Sequence, residues 1–371
     1  MTDTSIASPT LIAWLGFGLG AIFGAVGNRT SFCTMGAVSD IVAMGDWNRM
    51  RMWLLAIAVA ILGSQALQFG GMIDLGKSIY TAPRLNWLSI VAGGLCFGIG
   101  MTLASGCGTK TLIRIGGGNL KSLVVFVFLA ISAYMTLKGL FAVWRLKALD
   151  PVGVTLPTNQ DLPSLVAITG AATRPQAMVA GALLVGGALA AFALIRAEFR
   201  RFDYLLGALT TGLVIVAGWY VTGHLGYVAE HPETLQEAFV GTNSGRAESL
   251  TFVAPYAYTI ELLMLWSDAS KSVTFGVAAA LGVIAGSAVY AVGSGNFRLE
   301  SFRDPNDMLR HIAGGVLMGF GGVSALGCTI GQGITGISTL ALGSMLALVS
   351  IIAGCVAALK FELWRLERQQ N

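Results

Sequence analysis

Residues 93–110 read GGLCFGIGMTLASGCGTK and residues 314–331 read GGVLMGFGGVSALGCTIG, so one apolar segment occurs twice in the chain. Six positions align between the two copies at a constant offset: Gly93 with Gly314, Gly94 with Gly315, Gly98 with Gly319, Gly100 with Gly321, Gly106 with Gly327 and Cys107 with Cys328. A duplicated apolar helix that ends in a Gly-Cys break is typical of transporters built from repeats, whose sites lie at discontinuous helices. We therefore expect the functional site at these two breaks.

The composition is that of an integral membrane protein. Of 371 residues, 55% are hydrophobic and 11% are charged, and the mean hydropathy is +0.73, whereas a soluble domain has roughly 25% charged residues. Nine apolar stretches approach the length of about 20 residues that crosses a bilayer core: about 11–27, 52–73, 87–104, 121–142, 176–195, 204–222, 272–292, 308–326 and 342–364. They predict an all-α membrane protein with about nine transmembrane helices.

The charged loops predict an orientation in the membrane. Arginine is frequent in 47–51, 196–203 and 297–310, and basic loops face the cytoplasm. The loop 223–250 is acidic instead, with Glu230, Glu233, Glu237 and Glu248 against Arg246. Nine crossings then put the N-terminus outside and the C-terminus inside. The net charge of +4 reflects basic cytoplasmic loops rather than nucleic-acid binding, and no nucleic-acid partner is expected.

The whole chain, residues 1–371, is interpreted as a single membrane domain with two halves. Half one covers about 11–142, half two covers about 176–364, and the linker 145–175 joins them. In the predicted orientation the span before Cys107 runs inward and the span before Cys328 runs outward. The two repeats are therefore expected to be inverted about a pseudo-two-fold axis, as in many transporters.

Three further segments, 28–45, 105–118 and 327–340, are too polar and rich in glycine for lipid-facing spans, yet too apolar for solvated loops. Irregular backbone at membrane depth is tolerated only where it is buried in protein or lines a wet cavity. These segments are predicted to be short re-entrant or half-helical elements. The run 252–266, which contains Pro255 and Glu261, is predicted to be a partial helix on the outer side.

Three of the five cysteines, Cys33, Cys107 and Cys328, lie at these breaks and are the candidate pathway residues. The other two, Cys96 and Cys355, lie inside continuous apolar spans, where cysteine behaves as a small buried hydrophobe. The N-terminus of a half-helix offers unpaired N–H groups and a positive dipole end to an anion. A thiol adds a weak S–H donor that can hold a sulfur-containing anion loosely, and a transport site must release as well as bind.

The neighbours of the cysteines supply further candidates for substrate binding: Arg29, Ser31, Gly106, Gly108, Thr109, Lys110, Gly327, Thr329, Gly331 and Gln332. The hydroxyl and amide side chains among them are equally explained as helix caps and turns. Lys110 and Arg114 are equally explained as basic side chains that extend to the cytoplasmic interface. The alternative to binding for Arg29 is that it pairs with Asp40 and so holds the first re-entrant segment.

Several chemistries lack their motifs. The sequence has no Cys-x-x-Cys pair, no P-loop, no nucleophile elbow and no dinucleotide fingerprint, and His224, His231 and His311 are scattered without metal-ligand spacing. We expect no enzyme activity, no cofactor and no metal.

The chain resembles the YeeE/YedE family of bacterial inner-membrane proteins, whose characterised members take up thiosulfate. The resemblance rests on NRTSFCTMGAVSD at 28–40, on the segment from Gly93 to Thr111 and on DMLRHIAGGVLMGFGGVSALGCTIGQG at 307–333. It implies a helical, hourglass-like fold with re-entrant helices, in which thiosulfate passes between cysteines by S–H hydrogen bonds. It also implies that Cys33, Cys107 and Cys328 are these cysteines, that the membrane is the inner one, and that a cytoplasmic sulfur-carrier protein is a partner.

The chain departs from the family pattern at two breaks. Ser31 stands where thiosulfate-uptake members carry an arginine, and the second break reads SGCGTK rather than GGCATG. Because these changes alter the donors around the cysteines, related sulfur oxyanions and a selenium analogue stay open as substrates. A sulfur-anion sensor that signals to a partner without transport and a membrane thiol oxidoreductase are the alternative functions.

Overall fold

The computed structural model describes residues 8–231, 235–268 and 270–370; Glu233 of the acidic loop lies outside them. The helices are α1 (Pro9–Arg29), α2 (Thr34–Met44), α3 (Asn48–Phe69), α4 (Trp87–Leu103), α5 (Gly108–Gly116), α6 (Leu120–Lys138), α7 (Leu140–Trp144), α8 (Leu162–Ile168), α9 (Arg174–Gly181), α10 (Gly187–Leu194), α11 (Phe202–Tyr220), α12 (Val253–Met264), α13 (Phe275–Gly293), α14 (Pro305–Ser324) and α15 (Leu342–Gln370). The only regular strands within these ranges form two short antiparallel pairs, β1 (Arg84–Leu85) with β2 (Val154–Thr155) and β3 (Tyr227–Val228) with β4 (Ala238–Phe239).

Shorter helical pieces extend or connect these elements. Two are 3₁₀ turns, Leu75–Lys77 and Ala197–Arg200. The others are π-helical: Arg145–Leu149, Ala182–Gly186, Val221–Leu225 and Gly331–Gly336.

Eight helical segments of the described chain are long and apolar enough to cross a membrane: Pro9–Met44, Asn48–Phe69, Trp87–Gly116, Leu120–Lys138, Arg174–Leu194, Phe202–Leu225, Phe275–Gly293 and Leu342–Arg368. The ninth predicted span corresponds to α14, which has 20 residues but begins with polar and charged side chains. It packs along α4 and α6 in the interior of the helical assembly. The prediction of an all-α membrane protein is confirmed.

The two copies of the repeat pack directly against each other. A Cβ at Gly93 would lie 2.7 Å from the carbonyl oxygen of Gly321, and one at Gly321 would lie 2.5 Å from that of Gly93. Gly100 and Gly314 form the matching pair, at 2.7 and 2.6 Å. Since Gly93 aligns with Gly314 and Gly100 with Gly321, equivalent residues exchange places across the contact. The helices α4 and α14 are therefore antiparallel and related by a pseudo-two-fold axis, as expected of inverted repeats.

The neighbouring helices follow the same relation. Helix α15 packs on α4 and helix α6 packs on α14, and in both pairs glycine brings the backbones together: a Cβ at Gly94 would lie 3.2 Å from the Ala347 carbonyl oxygen, and one at Gly315 would lie 3.1 Å from that of Val125. Close backbone approach is how helices associate in lipid, where the hydrophobic effect gives little help.

Two ends of the helical assembly differ in charge. At one end, called the arginine face, Arg29 of α1 pairs with Asp203 of α11, and Arg310 pairs with Glu362 near the end of α15. At the other end, called the acidic face, the loop 223–250 meets residues 70–86, and Lys77 pairs with Glu237. The short helix α12 agrees with the predicted partial helix; its Glu261 is buried at this end between Lys138 and Lys271, each with its ammonium nitrogen 2.8 Å from one carboxylate oxygen.

Candidate functional site

The three cysteine breaks share one backbone geometry. Helices α1, α4 and α14 each end at a residue in the left-handed region two positions before a cysteine: Ser31 with φ 51°, Ser105 with φ 54° and Leu326 with φ 60°. In each break the following N–H reaches back five residues: Phe32 to Gly27 at 3.1 Å, Gly106 to Met101 at 2.8 Å and Gly327 to Gly322 at 2.7 Å. This pattern ends a helix sharply and satisfies its last carbonyls, although a left-handed residue other than glycine is strained. The repetition of this backbone geometry indicates that the three breaks have equivalent roles.

Each cysteine then starts a new helical segment, as predicted for 28–45, 105–118 and 327–340. The sulfur of Cys33 accepts the N–H of Gly36 at 3.4 Å, and the sulfur of Cys328 accepts that of Gly331 at 3.4 Å. The sulfur of Cys107 has the same relation to the N–H of Lys110. The first N–H groups of a helix have no partner inside it and carry the positive end of its dipole. Every thiol therefore lies at an N-terminus suited to an anion.

The structure brings the three cysteines together in the interior. All three are buried, and the side chains of Cys33 and Cys107 lie within hydrogen-bonding reach of each other. Thr329, the residue after Cys328, lies beside the Cys107 thiol, which joins the third break to the second. All five cysteines are free thiols. Cys96 and Cys355 lie within the spans α4 and α15, and Cys355 is within electrostatic range of Cys33.

A buried threonine accompanies each cysteine. Thr34, Thr109 and Thr329 are at most 2% exposed, and none of their hydroxyls makes a well-formed hydrogen bond with the described part of the protein. A buried polar group without a partner is costly and calls for an explanation such as a ligand. Thr109 and Thr329 are among the predicted site residues, whereas Thr34 was missed. The Cys-Thr dipeptide shared by 33–34 and 328–329 was the signal that could have found it.

Two more buried polar side chains border the cysteines. Gln332 donates from Nε2 to the carbonyl oxygen of Ala325 at 2.5 Å, and its Oε1 has no partner among the described residues. Tyr256 of α12 donates its hydroxyl to the Gly108 carbonyl oxygen at 2.5 Å and lies within electrostatic range of Cys107 and Cys328. Nothing in the sequence around Tyr256 pointed to this position, since it comes from a helix 149 residues beyond Cys107 in the fold's second half.

Two cavities approach the cysteines from opposite ends. The cavity on the acidic face has a volume of about 160 Å³ and extends to Leu326 and Gly327, immediately before Cys328. The cavity on the arginine face has a volume of about 530 Å³ and extends to Ser105 and Lys110, on either side of Cys107. The buried thiols lie between the two cavities.

The cavity on the arginine face is strongly basic. The cavity is lined by four basic residues, Lys110, Arg114, Lys121 and Arg298, and also by Glu300, Asp307 and His311. Lys121 pairs with Asp307 at 2.7 Å, and Arg114 donates to the Ser105 carbonyl oxygen at 2.8 Å. Lys110 is the cation closest in sequence to a thiol and lies within electrostatic range of both Cys33 and Cys107. Basic side chains therefore outnumber acidic ones in this cavity.

The remaining predicted site residues have structural surroundings of their own. Gly106 lies 3.4 Å, measured from an ideal Cβ, from the Lys110 side chain, and Gly327 lies 3.2 Å from that of Gln332. A Cβ at Gly331 would overlap the side chain of Thr251, so this position requires glycine. Ser31 is exposed at the first break.

The expected pair between Arg29 and Asp40 is wrong. Arg29 is exposed, and its Nε lies 3.0 Å from Asp203 of α11, whereas Asp40 is paired at 3.2 Å with Arg49. The reason is that α1 ends beside the first turn of α11, while α2 turns back against the start of α3. The guanidinium of Arg29 therefore faces α11 and not the re-entrant segment.

Within the described ranges, no group of three or more His, Cys, Asp or Glu side chains is arranged to hold a metal ion. The arrangement consists of thiols, hydroxyls, helix N-termini and one lysine. These groups are hydrogen-bond donors, and such donors can hold a small anion without covalent chemistry.

Comparison with known proteins agrees with this geometry. A family model described as sulphur transport matches residues 29–357. The thiosulfate transporter TsuA of Spirochaeta thermophila is 27% identical over 348 residues, which are 92% of this chain and 96% of that protein. The thiosulfate transporter TsuA of Escherichia coli is 29% identical over 348 residues, or 90% of each chain.

Proposed function

We propose, since the chain belongs to the YeeE/YedE family of sulphur transport proteins, that it is an inner-membrane permease for thiosulfate or a closely related small sulfur-containing anion. Both relatives described above are thiosulfate transporters and cover nearly the whole chain. The single observation that carries the proposal is the threefold repetition of one site, a thiol at the start of a half-helix beside a buried hydroxyl that makes no well-formed hydrogen bond with the described residues.

The proposed path runs from the acidic face to the arginine face. The anion enters the smaller cavity, meets Cys328 beyond Gly327, passes to Cys107 and Cys33, and leaves beside Lys110 into the larger basic cavity. The order follows from the contacts, because Cys33 and Cys107 are neighbours and Thr329 touches Cys107. Each transfer then covers a short distance.

At each station the thiol donates its S–H to the anion and the neighbouring threonine donates its O–H. The half-helix N–H groups add the positive end of a dipole. Such donors bind weakly, and weak binding suits transport, since a site with an affinity near 1 mM corresponds to only about 4 kcal/mol. No bond to sulfur forms or breaks in this scheme, so the protein acts without an enzymatic step.

The proposed orientation puts the acidic face outside and the arginine face in the cytoplasm. It rests on the basic residues Arg29 at the end of α1 and Arg310 near the start of α14 and on the positive-inside rule. A cytoplasmic sulfur-carrier protein would receive the anion and maintain its gradient. Full uptake rates in vesicles that lack any such partner would contradict this part.

The test is uptake of ³⁵S-thiosulfate by cells that express single alanine variants. We expect Cys33→Ala, Cys107→Ala and Cys328→Ala each to lower uptake by about tenfold to hundredfold, the effect of losing about 1.4–2.7 kcal/mol at one station. Cys96→Ala is the matched control, because Cys96 lies in the span before the second break, and it should keep wild-type uptake. Equal uptake by all four variants would contradict the role of the thiols.

Other outcomes of this test identify other functions. Binding of thiosulfate by the purified protein without uptake by cells would indicate a sensor. A reversible disulfide between the neighbouring Cys33 and Cys107, detected by mass spectrometry during turnover, would indicate a thiol oxidoreductase. Uptake with all thiols free supports the permease.

A further inference from the structure

A buried carboxylate lies at the wall of the cavity on the acidic face. Glu248 is 9% exposed and lines the cavity that ends at Leu326 and Gly327, immediately before Cys328. Its Oε1 lies 3.9 Å from the ideal Cβ position of Gly276 on α13, a position that the side chain of Pro255 approaches to 2.8 Å. A negative charge here would lie at the wall of a cavity that approaches Cys328 from this face.

The backbone holds this carboxylate in place. The N–H of Glu248 donates to the Thr222 hydroxyl at 3.1 Å, and that hydroxyl donates in turn to the Glu248 carbonyl oxygen. Two residues later, the Leu250 carbonyl oxygen accepts the hydroxyl of Thr335 at 2.7 Å. Glu248 is therefore anchored to the end of α11, and the segment behind it is anchored to the π-helical piece that follows Cys328.

The carboxylate has no cationic partner. The Ser244 hydroxyl donates to Oε2 of Glu248 at 2.8 Å. The backbone N–H of Ser244 is the second donor to this carboxylate. Among the described residues no lysine, arginine or histidine forms an ion pair with Glu248. Arg145 lines the same cavity, but its guanidinium pairs with Asp150 at 3.3 Å.

The other groups that face Glu248 do not neutralise it. Tyr80, from the loop before α4, and Tyr258 of α12 are the titratable neighbours on other elements. Behind Tyr258, the charge of Glu261 is already balanced by Lys138 and Lys271. Gly276 of α13, Val323 of α14 and Leu326 of the following break carry no charge, and Arg246 on the same loop is exposed.

Burial raises the pKa of Glu248 to about 7, and the hydrogen bonds from Ser244 only partly oppose this effect. The Glu248 carboxyl therefore changes its charge near neutral pH. An ionised carboxylate in a narrow, partly desolvated cavity repels an anion strongly, because the low dielectric weakens screening.

We propose that Glu248 is a proton-binding residue that controls access of the anion to Cys328: the neutral carboxyl admits the anion, and the carboxylate excludes it. The inference rests on the proposed function and adds a specificity-determining residue to it. The proton comes from the water of the cavity and returns there, so no bond to sulfur is involved. Tyr80 connects the two groups, since its hydroxyl lies within electrostatic range of both Glu248 and Cys328.

The first test is the pH profile of ³⁵S-thiosulfate uptake between pH 5.5 and 8.5. Wild-type uptake should fall about tenfold as the external pH rises through 7, because one unit of pH changes the neutral fraction tenfold above the pKa. Glu248→Gln should give a flat profile that exceeds the wild type at pH 8. Glu237→Gln, an exposed glutamate of the same loop that pairs with Lys77, should keep the wild-type profile. A flat wild-type profile, or an unchanged profile in Glu248→Gln, overturns the proposal.

A second test does not depend on transport. In protein whose only cysteine is Cys328, iodoacetate and iodoacetamide are nearly the same size but differ in charge, and mass spectrometry gives the ratio of the two adducts. The ratio of the iodoacetate adduct to the iodoacetamide adduct should fall with rising pH in the wild-type background and stay constant in Glu248→Gln. Both reagents react with the thiolate, so the ionised fraction of Cys328 does not affect this ratio. The proposal fails if the ratio behaves alike in both. If no variant transports thiosulfate but the ratio still depends on Glu248, the proposed substrate is wrong and the proton-binding role stands.

Discussion

The break at Cys107 and the break at Cys328 have the same backbone but opposite electrostatic surroundings. Three residues after the cysteine, the first copy has Lys110 at the edge of a basic cavity, and the second has Gly331 packed against Thr251. Two residues before it, the first copy has Ser105, whose carbonyl binds Arg114, and the second has the apolar Leu326 beside Glu248. In the proposed pathway, the repeat provides equivalent binding sites for the anion. The residues that differ between the two copies make the two ends of the pathway unlike in charge.

The largest expected effect concerns the glycine that distinguishes the second copy. Gly331→Ala puts a Cβ into the side chain of Thr251, and overpacking of this kind costs about 1–3 kcal/mol. We expect a lower unfolding temperature in detergent together with loss of thiosulfate uptake.

The control for this variant is Gly187→Ala. Gly187 lies in α10, and a Cβ there would have no atom within 4 Å, so alanine should maintain or raise the unfolding temperature. Equal stability of the two variants would mean that the Gly331 position can expand, and that the difference from Lys110 is not imposed by packing.

The second effect concerns the charge that distinguishes the first copy. Lys110→Gln removes the cation beside Cys33 and Cys107 and should raise the KM of uptake about tenfold, equivalent to about 1.4 kcal/mol. Lys110→Arg should retain most of the affinity. Lys360→Gln, on the exposed surface of α15, serves as the control for the loss of one positive charge. An unchanged KM in Lys110→Gln would support the alternative that this lysine only anchors the protein at the interface.

The sequence was sufficient to predict the elements that local patterns encode. The apolar stretches predicted the spans, and the polar, glycine-rich composition predicted the breaks at 28–45, 105–118 and 327–340, because a helix end and a helix start both depend on nearby residues. The inverted relation of α4 and α14 followed from counting spans. The cysteines could be singled out because the repeat marked two of them independently.

The side chains that complete the site depend on tertiary packing instead. Tyr256 of α12 donates a hydrogen bond to the Gly108 carbonyl oxygen. Glu248 lines the cavity on the acidic face, although its loop has the sequence of an ordinary acidic surface segment. The expected pairing of Arg29 with Asp40 failed for the same reason, since residues close in sequence were separated by the packing of α11 and α3. Sequence spacing carries no information on such contacts.

A third, smaller effect tests whether the threonines bind the anion or only support the fold. Thr34→Val, Thr109→Val and Thr329→Val should each raise the KM of uptake by about threefold to tenfold, as expected for one lost hydrogen bond of about 0.5–1.5 kcal/mol. The unfolding temperature without ligand should stay the same or rise, because each change removes an unpartnered buried hydroxyl.

Thr335→Val is the matched control for this series. Its hydroxyl donates to the Leu250 carbonyl oxygen at 2.7 Å, so the variant should lose stability. The same loss in all four variants would mean that Thr34, Thr109 and Thr329 have structural partners and no role in binding.

The last effect concerns stability at the acidic face. Because the pKa of Glu248 is raised to about 7 in the folded protein, above the ordinary value of 4.5, the folded state binds the proton more tightly than the unfolded state. The free energy of unfolding therefore falls as the pH rises from about 4.5 towards 7 and stays low above that range. Glu248→Gln removes this dependence, so its unfolding temperature in detergent should match the wild type at pH 5 and exceed it by a few degrees at pH 8. Glu237→Gln, whose carboxylate is exposed and paired with Lys77, should not gain stability at pH 8. A gain of the same size at both pH values would mean that glutamine improves packing and that the charge of Glu248 does not matter.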